Sequence, residues 1–403
     1  MRPKKSITAL QWTQLYSLSL AHFFADMLLG MLPAILPTLR TQFNLSLNQG
    51  VVLISVCFLT ANIVQILIGH LRPDKKRPFF WNIGLVICVA ICFCGLLPGT
   101  KHAHLLLVVL AIITPIGTAF THPEGLRAVH FLRRIAPATG TALFLNGGVF
   151  GFCAGGLLAA AVVHWLGLKG LLLFVCLPLT GIVATKMLRI RLAVDRPHRT
   201  VTASGKGQRV PFWLLFLMVI PFTTSATVFP ALIPTRLNEL GFSLSFGALP
   251  GTLWGIGAIA GTFFWSKMAD KKSPLPIVVI SSILVIPMMA LYLILIKSPY
   301  SIWLLLPGGF GAFAGSTIIV SMARYSAGAN LGRRMGIMSG GGWGVASLIL
   351  MALGTVAEKY SVAAILNLSW LGYFLTAVIG LVVIKTQKSR TPATSEGAAD
   401  VTI

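Results

Sequence analysis

Negative charge is what this chain has least of. Nine Asp and Glu stand against 32 Lys and Arg in 403 residues, and charged residues of both signs make up only 10%. Soluble domains carry about 25% charged residues. A chain of this length with so few could not cover a water-facing surface. Cysteine is sparse too. Cys57, Cys88, Cys92, Cys94, Cys153 and Cys176 all fall in apolar stretches, and none is spaced with His as in a metal site. Cys88, Cys92 and Cys94 read as packing, so no metal ligand is assigned. Nucleophile–base pairs and phosphate loops are also missing. That argues against an enzyme, and no cofactor is expected.

What is abundant is apolar sequence. Hydrophobic residues make up 56%, and mean hydropathy is +0.86. Twelve apolar segments are each near the ~20 residues that cross a bilayer. They cover 15–37, 51–71, 79–97, 105–125, 138–163, 168–188, 211–234, 248–266, 275–296, 301–322, 335–356 and 362–384. The net charge of +23 is distributed by topology. With the N-terminus inside, only Arg40, Lys101, Lys169, Arg236, Lys297 and Lys359 fall outside, which leaves 26 of the 32 cations on the inner side. This is the positive-inside pattern, and it places both termini in the cytoplasm. The basic balance is therefore not a nucleic-acid footprint. Arg2, Lys4 and Lys5 precede the first apolar run as in a secretory leader. That run is too long, carries Asp26 and lacks a clear cleavage site, so it is expected to be a retained helix.

The chain repeats itself. Pro-Ala-Ile-Leu-Pro-Thr at 33–38 returns as Pro-Ala-Leu-Ile-Pro-Thr at 230–235, an offset of 197 residues. The same offset superposes Ser46 on Ser243, Leu47 on Leu244, Gly50 on Gly247 and Arg127 on Arg324. The basic stretch 189–210 between segments six and seven reads as a cytoplasmic linker. The expected organisation is a six-helix bundle over 1–188, the linker 189–210, a second bundle over 211–385 and a cytoplasmic tail over 386–403. The fold expected is an all-α membrane protein of twelve transmembrane helices in two pseudo-symmetric six-helix bundles. Parallel six-helix repeats of this kind are the architecture of the major facilitator superfamily.

Against this apolar background Asp26 stands out, because it lies mid-span. A carboxylate there costs at least ~2.5–3.5 kcal/mol and is a functional-site hypothesis by default. His22 is one turn earlier on the same helix face. At the repeat offset His22 becomes Val219 and Asp26 becomes Thr223. The repeat can therefore be built without the carboxylate, which favours a coupling role for it in the N-terminal half.

Three further stretches carry motifs. Gly69, Asp74, Lys75 and Arg77, with a second copy around Asp270, resemble the superfamily's cytoplasmic loop signature. There the resemblance implies a conformational latch. Gly147, Gly151, Gly155 and Gly156 have the glycine spacing of proton-coupled antiporters in the same superfamily, with Phe152 where those have Pro. Small residues four apart let helices approach closely. Thr121-His122-Pro123-Glu124-Gly125-Leu126-Arg127 ends the fourth segment, where Pro123 is expected to kink or break the helix. Glu124 and Arg127 can pair on one face.

The His22-x-x-x-Asp26 and His122-Pro123-Glu124 elements with Arg127 resemble those of fosmidomycin-resistance-type efflux transporters. The resemblance implies proton-driven export of small molecules, with Asp26, His22, Glu124 and His122 in proton coupling. Arg127, Arg324, Asn62, Gln65, Asn146, Trp254 and Trp343 are candidates for substrate contact or gating. The function expected is a proton-coupled antiporter exporting a small molecule or drug by alternating access. The alternative is a proton symporter importing a small metabolite or anion. The expected partners are substrate, protons and membrane lipid but no nucleic acid, with the chain acting as a monomer in a bacterial inner membrane.

Overall fold

The computed structural model describes residues 4–68, 75–100, 102–135, 137–193, 210–323 and 337–389, and among these there is no strand. The first half holds α1 (Lys4–Phe43), α2 (Leu47–Ile68), α3 (Phe79–Leu96), α4 (Ala103–Phe131), α5 (Pro137–Leu166) and α6 (Leu168–Met187). The second half holds α7 (Phe212–Glu239), α8 (Leu244–Lys271), α9 (Pro274–Ile294), α10 (Pro299–Ala323), α11 (Gly342–Lys359) and α12 (Val362–Gln387). Eleven of these are long and apolar enough to cross a membrane; α11 is the exception. The expected span 335–356 is realised as a π turn, Ile337–Gly341, leading into α11. That helix carries Gly342, Gly344 and Gly354 and ends on Glu358 and Lys359, which lowers its apolar content.

Several helices outrun their apolar cores. The helix α1 continues through Pro33 and Pro37, and α4 through Pro115 and Pro123. Of the expected kink or break at Pro123, the break does not occur, since α4 stays helical to Phe131. Bundled membrane helices tolerate proline because neighbouring groups re-satisfy the freed carbonyl.

The repeat is visible in how the helices begin. Ser46 accepts a hydrogen bond from the Gln49 backbone N–H at 3.2 Å at the start of α2. Ser243 does the same for Phe246 at 3.2 Å at the start of α8. Each is an N-cap, satisfying a donor that the first turn leaves free.

Within the first half, α1 packs on α5 along a glycine line. A Cβ on Gly147 would stand 2.6 Å from the Ser19 carbonyl oxygen, and Cβ atoms on Gly151 and Gly155 would overlap those of Phe23 and Met27. Both rows advance by four residues, so the two backbones touch over three turns. Two seams join the halves. The Thr252 hydroxyl of α8 donates to the Cys153 carbonyl of α5 at 2.8 Å. On α11, Gly354 faces Asn48 and Val51 of α2, and Gly340 just ahead of it faces Ile66.

Candidate functional site

The α1–α5 register sets the site. His22 and Asp26 share the α1 face beside the glycine line, and α4 brings His122 to them. Asp26 Oδ2 lies 3.2 Å from His22 Nε2 and 3.6 Å from His122 Nε2. The two Nε2 atoms are 3.2 Å apart. The imidazoles meet edge-on at 4.6 Å, and His22 stacks on the Phe144 ring at 4.2 Å. The side chains are 1% exposed at His22, 12% at Asp26 and 18% at His122. His22 is thus sealed in, while Asp26 and His122 are each partly accessible.

The far nitrogen of each ring is spoken for. His22 Nδ1 is 2.8 Å from the Phe144 carbonyl oxygen, and His122 Nδ1 is 3.0 Å from that of Thr118. A carbonyl only accepts, so each Nδ1 carries the proton and donates. A ring held this way, when neutral, turns a bare Nε2 lone pair toward the other ring and the carboxylate. Three acceptors converge on one point, an arrangement that calls for a cation or a proton among them. Asp26 Oδ1 is buried without a hydrogen-bond partner.

Gly148 closes the site from α5. A Cβ there would fall against Asp26 Oδ2 and His22 Cε1, and 2.6 Å from His22 Nε2. Gly148, Phe144 and Thr118 were missed by sequence reasoning. A small residue next to the glycine line was the one available signal. No metal ligand is expected from the sequence, yet the fold brings three donor groups together. His22, Asp26 and His122 form a group that could hold an ion, with donor atoms within 4.8 Å of one another. It was invisible because His122 lies 100 residues from His22.

The other expected residues scatter. The Glu124 carboxylate accepts from the Trp81 backbone N–H at 2.8 Å, in the first turn of α3. A carboxylate there suits the free N–H groups and the positive end of the helix dipole. Arg127 donates to the Lys75 carbonyl oxygen at 2.6 Å and to that of Ala193 at 2.9 Å. It thus ties the end of α4 to the loop before α3 and to the segment after α6. Lys75 and Arg77 are exposed. Gly69, Asp74 and Arg324 lie outside the described residues, and of Asp270 only the helical backbone is described.

Asn62 donates to Phe58 of its own helix at 2.8 Å. Gln65 is half-buried. Trp254 is 2% exposed and packs against Phe229 at 4.8 Å, which makes it a core residue of the second half. Trp343 stacks on Phe313 at 5.7 Å. Asn146 lines an open cleft of ≈ 650 Å³ between α1, α5 and α8, with Ser19 and otherwise apolar neighbours such as Phe23 and Ile256. Gly156 approaches Ala34 of α1, with their Cβ positions 3.1 Å apart. At the site's pseudo-symmetric position, Thr223 of α7 reaches the Gly342 carbonyl of α11 at 3.0 Å. One half carries an ionisable cluster where the other carries a hydroxyl closing a helix contact.

Among the described residues, twelve helices in two repeated halves, with a buried ionisable cluster inside the first, have the architecture of a secondary transporter. The Major Facilitator Superfamily model matches residues 18–306. The chain belongs to that superfamily. It is 23% identical over 356 residues to the fosmidomycin resistance protein of Escherichia coli (strain K12), covering 86% of each chain. It is also 23% identical over 159 residues to the uncharacterized MFS-type transporter YfnC of Bacillus subtilis (strain 168), covering 39% of this chain and 38% of that one. Among solved structures it resembles a bacterial homolog of the human lysosomal transporter Spinster in an inward-facing, occupied conformation. There the TM-score is 0.69 at 16% identity, over 94% of this chain and 98% of that one. A POT family transporter in complex with a thioalcohol-conjugated peptide gives 0.70 at 14% identity, over 94% and 96%.

Proposed function

We propose that this protein is a proton-coupled antiporter that exports a small molecule or drug from the bacterial cytoplasm. The observation that carries this reading is the convergence of His22 Nε2, His122 Nε2 and Asp26 Oδ2 at 3.2–3.6 Å. Three lone pairs in a low-dielectric site repel until one proton is placed among them. Asp26 is the charge store, and His22 and His122 share the proton with it. His22, Asp26 and His122 all lie in the first half, on α1 and α4, so the proton sets the charge buried in that half. In this reading that charge is what couples protonation to alternating access of the two halves.

Export is favoured by the fosmidomycin-resistance relative, and the one-sided distribution of Lys and Arg favours both termini on the cytoplasmic side of the bacterial inner membrane. Glu124 and Arg127 serve this scheme by fixing the inner ends of α3 and α4 rather than by carrying protons. The division at 189–210 separates the two moving halves, and a single chain is the working unit.

The test uses an efflux-deficient bacterial host that expresses wild type or Asp26→Asn at matched membrane levels. A drug and metabolite panel that includes a phosphonate antibiotic is applied, and inverted vesicles are given an imposed pH gradient. Resistance in wild type that is lost in Asp26→Asn, with substrate-dependent proton movement in vesicles, is the expected result. Accumulation in place of resistance would convert the reading to proton symport. Unchanged transport and pH dependence in Asp26→Asn would refute it.

A further inference from the structure

We propose that His22, His122 and Asp26 form a tetrahedral binding site for one divalent transition-metal ion of the zinc class, and that the bound ion arrests transport. The spacing carries the first part. Zinc bonds to imidazole nitrogen and carboxylate oxygen run about 2.0–2.1 Å, which puts tetrahedral donors about 3.4 Å apart. The three donor atoms here are separated by 3.2, 3.2 and 3.6 Å. An octahedral ion would ask for adjacent donors nearer ~3.0 Å apart.

The ring orientation is the second observation. A metal-binding His almost always gives its other N–H to a carbonyl or carboxylate, which fixes the tautomer and aims the lone pair. Both rings do this, to Phe144 and Thr118. Third, Asp26 Oδ1 is buried and unpartnered. It leaves an acceptor free for a water completing the ion's fourth position. Two imidazoles with one carboxylate select zinc, cobalt or nickel over magnesium or calcium, which need oxygen donors.

The ion would join α1 to α4 and take the three lone pairs assigned above to the proton. The arrest therefore rests on the proton reading, whereas binding does not.

The test uses the purified full-length protein and Co²⁺ as probe. A four-coordinate cobalt ion absorbs strongly in the visible, and a six-coordinate one only weakly. The expected result is one tightly held Co²⁺ per chain with the strong spectrum and no sulfur-to-metal charge transfer, displaced by Zn²⁺. His122→Gln, at the partly exposed position, is expected to weaken binding at least a hundredfold. His164→Gln, an exposed control, is expected to leave it unchanged.

A weak six-coordinate spectrum in wild type overturns the proposal, and so does a strong one that survives His122→Gln. Should His122→Gln fold poorly, His22→Gln and the wild-type spectrum decide in the same way. Tight Co²⁺ binding with transport undiminished by Zn²⁺ would overturn the arrest and count against the proton reading while leaving the site intact.

Discussion

Gly148→Ala adds one methyl group at the place where the site has no room for it. The new Cβ would stand 2.6 Å from His22 Nε2 and closer still to His22 Cε1 and Asp26 Oδ2. Ordinary contact begins near 3.4 Å, so the ring or the helix must give by about 0.8 Å at the Nε2 contact. The ring is poorly able to give, because Nδ1 is held by the Phe144 carbonyl and one face lies on the Phe144 ring. Nor can α5 easily retreat as a body, because Gly147 and Gly151 on either side touch α1 backbone. Overpacking of this kind costs about 1–3 kcal/mol, which is about 5- to 150-fold in any equilibrium that needs the native site. The variant is expected to insert normally and to lose proton-driven transport by a factor in that range. Gly251→Ala is the control, since a Cβ there meets nothing within 4 Å. Substrate-dependent proton uptake in vesicles, with membrane levels matched, is the assay. Wild-type uptake in Gly148→Ala would show that the close packing around His22 and Asp26 has no part in coupling.

Other expectations follow from single contacts. Glu358 at the end of α11 accepts from the Asn48 backbone N–H at 3.1 Å and from the Ser46 hydroxyl at 3.3 Å, which places a carboxylate over the start of α2 in the other half. At an exposed helix end this contributes about 0.3–1 kcal/mol. Glu358→Gln should therefore open the outer seam by up to about fivefold, read as a longer population in spin-label distances between the outer ends of α2 and α11; an unchanged distribution would count against a latch. Arg127→Lys cannot reproduce the guanidinium fork that holds the Lys75 and Ala193 carbonyls. It should lower the melting temperature and raise proteolysis near residue 193, and equal stability would show the clamp to be idle. Ser243→Ala removes the α8 cap and should cost about 1 kcal/mol of stability, read in thermal unfolding, with substrate selection unaltered.

Much of the molecule is written locally and so could be read locally. Eleven of the twelve expected spans form helices of membrane-crossing length and apolarity. The remaining one, 335–356, is met by the π turn Ile337–Gly341 and α11, and its first residues lie outside the described ones. The His22–Asp26 pair was legible because four residues on a helix are always one turn apart. The repeated Ser46 and Ser243 were legible as a repeat, and their N-cap role follows from position alone. Other side chains took contacts that spacing did not single out: α4 runs on through Pro123, Asn62 bonds Phe58 of its own helix, and Trp254 is buried against Phe229.

The sequence by itself determined the class of solvent and the placing of one costly carboxylate early in the chain, and it set the expectations for orientation and for two halves. These follow from composition, charge asymmetry and periodicity, each a property of short stretches of chain. The tertiary structure alone decided what that carboxylate meets. His122 arrives from 100 residues away, Phe144 and Thr118 choose the ring tautomers, and Gly148 makes the space. Glu358 reaches α2 across 310 residues. Such meetings depend on how helices cross, and crossing is set by packing of whole faces. No short stretch encodes it, which is why spacing alone gave the pair, while His122 was tied to it only through a family resemblance.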